Sequence, residues 1–155
     1  MEPARPPPPT PEKALLTLRI IWAALLMGQL VFLVIVLAIG PGMSGPDPDI
    51  MRMLFYVLVA ILVTIIPVAH LIRGVIYNKG RQDGTVSPAA YATGSILFLA
   101  MCEGVGMAGL VFALLNGGRG PHLIVALIAI AVQAINFPTG GPMRGDDVIR
   151  PMHKR

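Results

Sequence analysis

The sequence predicts an all-α integral membrane protein with four transmembrane helices, arranged as two hairpins, and three observations point to it. Hydrophobic residues make up 55% of the chain and charged residues only 13%, with a mean hydropathy of +0.74, far from the balance of a soluble domain. Runs free of Asp, Glu, Lys and Arg cover 20–46, 53–72, 84–102 with 104–118, and 120–143, and a bilayer core takes about 20 residues of helix. The segments between these runs are short and rich in Gly, Pro and Asn, so no soluble domain fits in them.

Residues 1–13 contain a four-proline run and form an extended or disordered cytoplasmic tail. The first span, at about 14–39, is too long for a signal-peptide core and has no convincing small-residue cleavage site before Gly40. A PGMSGPDPD connector leads to the second span, at 51–77, where Pro67 is expected to bend the helix. NKGRQDGTVSP leads to the third, at 89–116, and GGRGP to the fourth, at 122–137. The fourth is short for a span and is expected to sit in a thinned region or to run on through Gly140 with its end unwound at Pro138. These spans make a domain of 14–139, and 140–155 is a basic tail.

Lys and Arg accumulate on the cytoplasmic side of membrane proteins. Lys13 and Arg19, then Arg73, Lys79 and Arg81, then Arg144, Arg150, Lys154 and Arg155 fall on one side, with Arg52 and Arg119 on the other. Both termini are therefore expected in the cytoplasm, in a multi-pass cell-membrane protein, bacterial inner membrane by preference. Topology accounts for the net charge of +4, so no nucleic-acid partner is implied. The expected partners are the lipid bilayer and other membrane helices, in a homo-oligomer or a larger membrane complex.

The residues for catalysis are sparse. Cys102 is the single cysteine, and His70, His122 and His153 have no ligand spacing, so neither a metal centre nor an enzyme is expected. His70 reads as a residue near headgroup level with Arg73 and Tyr77.

Glu103 is the exception. It lies in the middle of the third span, where an ionised carboxylate costs on the order of 3 kcal/mol or more. It is expected to be protonated, paired or facing a wet cavity. Gln29, Thr64 and Gln133 are the polar residues nearest its depth, and they can hydrogen-bond a protonated carboxyl without neutralising a charge. Beside it, Cys102, Gly106, Gly109 and Ala113 recur at spacings of 4, 3 and 4, a stripe that lets another helix approach closely.

The stretch EGVGMAGLVFALL at 103–115 resembles the second helix of the proteolipid, or c, subunit of rotary ATP synthases and ATPases, with Gly109-Leu110-Val111 six residues beyond the carboxylate. The loop Gly80-Arg81-Gln82-Asp83 is similar to the polar loop of that family, and the likeness covers 77–115. It implies that Glu103 takes up and releases a proton or a sodium ion, and that Arg81 and Gln82 face a rotor stalk. Outside this hairpin the chain looks more like small four-span bacterial membrane proteins with a carboxylate in the third helix: the second span holds only Gly74, and the fourth has no carboxylate.

Three readings follow. Glu103 is a reversible protonation site in a small membrane protein that binds H+ or Na+ and no other cofactor; or it fixes helix packing in a non-catalytic scaffold or assembly subunit; or the chain is a true rotor-ring subunit.

Overall fold

The computed structural model describes residues 10–42, 45–118 and 120–145. In chain order it comprises α1 (Pro11–Ile39), a 3-10 turn (Gly40–Gly42), α2 (Pro48–Lys79), β1 (Arg81–Gln82), β2 (Thr85–Val86), α3 (Pro88–Leu115), α4 (Pro121–Ile135) and α5 (Gly141–Arg144). The chain is all-α apart from the two short strands. Three helices are long and apolar enough to cross a membrane, and α4 is a shorter apolar helix.

All four main helices start on a proline, at Pro11, Pro48, Pro88 and Pro121, ahead of the expected starts at 14, 51, 89 and 122. A proline ring presets the helical φ, and its missing N–H would have had no partner in the first turn. Two of these starts carry side-chain caps: Asp47 accepts from the Asp49 amide at 2.7 Å, and Ser87 Oγ from the Ala90 amide at 3.4 Å. α2 runs through Pro67 as one helix. Of the expected N-terminal tail, Pro11–Lys13 belong to α1 and 1–9 lie outside the described residues; of the C-terminal tail, 141–144 form α5 and 146–155 lie outside.

α3 is the hub. It packs against α1, α2 and α4, whereas the consecutive helices α1 and α2 do not lie side by side. On one flank of α3, Leu110 and Ala113 meet Val36 of α1 together with Ala126 and Ile130 of α4. On the other, Val105 meets Leu58 and Leu62 of α2 with Val125 and Ala129 of α4. The outer faces of α1 and α2 display Leu30, Val31, Val34, Ile61, Val63 and Leu71, residues that suit contact with lipid.

The two ends of the bundle are closed differently. At one, α3 finishes in a Schellman motif: Gly118 N–H donates to Ala113 O at 2.8 Å and Gly117 N–H to Leu114 O at 3.1 Å, with both glycines at positive φ. The α1–α2 connection crosses this terminus so closely that a Cβ on Gly40 would overlap the backbone of Gly118. His122 joins α4 to α2 here, Nε2 donating to Met51 O at 3.1 Å between the rings of Phe55 and Phe112.

At the basic end, the segment read as a plain loop forms an antiparallel hairpin, with Arg81 opposite Val86 and Gln82 opposite Thr85. Asp83 and Gly84 both take positive φ, the type I′ turn that an Asp-Gly pair favours. Val86 anchors the hairpin against Leu18 and Tyr91.

α4 ends at Ile135, two residues before the expected 137, and unwinding starts at Asn136 rather than at Pro138. Pro138 disfavours helical backbone at Phe137. Asn136 closes the helix, its backbone N–H and its Nδ2 both donating to Val132 O. The carbonyl of Gln133 accepts instead from Trp22 Nε1 at 2.9 Å.

Candidate functional site

Glu103 lies in the middle of α3 and is half-buried. Successive helix residues are rotated by about 100°, so it stands beside the buried Cys102 and Gly106 and shares the α1-facing flank with Met107 and Leu114. Among the described residues it has no hydrogen bond and no ion pair.

The neutral groups expected around it are arranged otherwise. Gln29 and Gln133, both fully buried, bond to each other, Nε2 of Gln29 donating to Oε1 of Gln133 at 2.8 Å. Thr64 is exposed on α2, which packs on the opposite flank of α3 through Val105, Ala108 and Phe112, so it does not join the cluster. Depth alone had grouped these residues; the direction each side chain takes around its helix separates them.

Cys102, Gly106, Gly109 and Ala113 are all buried, and the two glycines serve different neighbours. A Cβ on Gly109 would stand 3.0 Å from the backbone N and the Cβ of Ala126, so there α4 presses on α3. A Cβ on Gly106 would stand 2.7 Å from Gln29 Oε1. Gly106 therefore makes room for an amide side chain rather than for a helix backbone. Among the described residues Gln29 Oε1 and Gln133 Nε2 have no partner, so the pair makes one of the two hydrogen bonds that facing amides can make. Arg81 and Gln82 are exposed on β1, at the basic end.

A second polar region lies where α4 stops short. A 15-residue helix is about 22 Å long against a bilayer core of about 30 Å. A pocket of about 430 Å³ lies between α2, α3 and the segment 135–142, lined by His70, Arg73, Tyr77, Ser95, Asn136 and Thr139 among others. Arg73 donates to Asn136 Oδ1 at 3.0 Å, and its guanidinium lies 4.3 Å from the Phe98 ring centre. Tyr77 and Ser95 share a 2.7 Å hydrogen bond, and Tyr91, stacked on Tyr77, accepts from the Gly140 amide at 3.1 Å. His70 Nδ1 lies 3.0 Å from the carbonyl of Ile66, to which it donates.

Sequence reasoning placed His70, Arg73 and Tyr77 near the headgroups but did not see the pocket. The available signal was NFP at 136–138, an early helix stop opposite an arginine that enters the apolar run. No family model matches this chain, and no curated protein or solved structure matches it either.

Proposed function

We propose that this chain is a four-helix membrane protein, both termini cytoplasmic, in which Glu103 is a reversible protonation site rather than a packing element. The observation that carries this reading is the half-buried carboxyl in mid-helix without a partner among the described residues, while Gln29 and Gln133 use each other. A scaffold carboxyl would be held by hydrogen bonds, because an unsatisfied polar group in lipid is costly. A group left open on a flank can meet water, lipid or a further helix as its charge changes. A proton is the favoured ion, since it needs a single carboxyl oxygen and among the described residues no other side-chain oxygen bonds Glu103.

The test is labelling of the full-length protein in membranes with a hydrophobic carbodiimide, which attacks the protonated carboxyl from the lipid phase. Modification at Glu103 should fade as rising pH ionises the group, and sodium should not protect it. Glu103→Gln should leave melting in detergent unchanged within about 0.5 kcal/mol and abolish labelling. A large loss of stability in Glu103→Gln would return the residue to a packing role. Native mass in detergent separates a monomer or small oligomer from a rotor ring of many copies.

A further inference from the structure

We propose that the pocket around Arg73 binds a phosphate group, presented by an anionic lipid headgroup at the basic end of the bundle. This inference stands apart from the role of Glu103, and three observations lead to it.

The first is the state of the guanidinium. Arg73 is half-buried and offers five N–H donors. Its one hydrogen bond among the described residues goes to a neutral acceptor, Asn136 Oδ1, and its face rests on Phe98. Among the described residues no carboxylate lines the pocket, and the ion pair found among them, Arg52 with Asp49, is at the other end of the molecule. The α4 C-terminus contributes a partial negative charge of about one half, which favours the cation without neutralising it.

The second is the company that Arg73 keeps. Arg19 Nε donates to Pro138 O at 3.3 Å and Arg144 to Thr139 O at 3.0 Å, so guanidiniums from α1, α2 and α5 converge on the unwound segment 136–139. Their acceptors among the described residues are all neutral. Guanidinium forks match the paired oxygens of a phosphate, and of the three it is Arg73 that lines the pocket.

The third is depth. Arg73 lies nine residues beyond Thr64 at mid-α2, which is about 14 Å along the helix, close to the edge of a bilayer core about 30 Å thick. Lipid phosphates lie just beyond that edge, within reach of a long arginine side chain. The pocket walls of Phe98, Leu99 and Ile135 are apolar, as the region below a headgroup requires. Basic pockets between helices at this level hold anionic headgroups.

The experiment is native mass spectrometry of the full-length protein titrated with phosphatidylglycerol, with phosphatidylcholine, and separately with inorganic phosphate or glycerol phosphate. Wild type should retain phosphatidylglycerol over phosphatidylcholine, and Arg73→Gln should weaken that retention about tenfold, as expected for losing a charge-assisted hydrogen bond. Arg73→Lys, which keeps the charge without the fork, should fall between them, and Arg52→Gln should change nothing. Binding of free phosphate that is lost in Arg73→Gln would support the same phosphate chemistry and identify a soluble source. Equal losses in Arg73→Gln and Arg52→Gln would overturn the proposal, since overall charge would then explain them. Asp146 and Asp147 lie outside the described residues. No preference for any phosphate probe, with equal destabilisation by Arg73→Gln and by Asp146→Asn with Asp147→Asn, would assign the guanidinium an internal counter-ion and also overturn it.

Discussion

α1 and α3 are both apolar helices of membrane-spanning length, yet they do opposite work. In the most apolar 18-residue window of α1, as in that of α2, 11% of positions are buried, whereas in α3 the share is 44%. α1 turns Leu30, Val31, Val34 and Ile35 outwards and keeps Leu18, Gln29 and Val36 inside. α3 buries its small residues and is touched on three sides. Apolar character is what a helix needs to enter lipid, and it is silent on which face meets another helix. Within lipid, small side chains and paired polar groups carry that information.

The comparison can be broken most severely at the crossing of Gly40 and Gly118. Gly118→Ala places a Cβ 2.7 Å from Val36 O and on a backbone at φ +73, while Gly40→Ala drives one into the Gly118 backbone. Each should cost about 3 kcal/mol, read as a fall in melting temperature in detergent or as failure to accumulate. Near-normal melting of both would mean that the α1–α2 connection does not lie against the end of α3.

A smaller effect contrasts one glycine in each helix. Gly109→Ala should destabilise by about 1 to 2 kcal/mol, because Ala126 must yield. Gly28→Ala in α1 meets nothing within 4 Å and should be neutral or stabilise by up to about 1 kcal/mol through helix propensity. Equal effects at the two sites would erase the distinction between the lipid-facing helix and the hub.

The buried amide pair sharpens the comparison further, because it is where α1 reads α4 across Gly106. Gln29→Leu alone should cost about 1 to 2 kcal/mol by leaving Gln133 without its partner. Gln29→Leu combined with Gln133→Leu should cost less than the sum of the single changes, a coupling of roughly 0.5 kcal/mol or more in a double-mutant cycle. Strict additivity would show that the two amides do not interact.

Much of this architecture was legible before any coordinates. Charge-free runs located the helices, since a charge in lipid is expensive, although the starts at Pro11, Pro48, Pro88 and Pro121 fall one to three residues before those expected. That Cys102, Gly106, Gly109 and Ala113 share one face was legible because a spacing of 4, 3 and 4 is a property of the helix alone; that this face is buried is seen only in the packed bundle. The Asp83-Gly84 turn was equally local and was passed over in favour of a plain loop.

Tertiary structure decided the rest. The sequence by itself determined which long segments are helical and how far along its helix each polar residue stands, because length, rise per residue and hydropathy belong to one segment at a time. It could not say which way a side chain at that depth turns relative to its neighbours. Gln29, Thr64, Glu103 and Gln133 are expected at one level, yet only Gln29 and Gln133 are bonded to each other. Nor could it show that α4 would stop at Ile135 and leave Arg73 beside a pocket, since that space exists only once α2, α3 and the segment after α4 are packed together. Helix rotation and relative length are set by contacts between segments, and the chain encodes them only jointly.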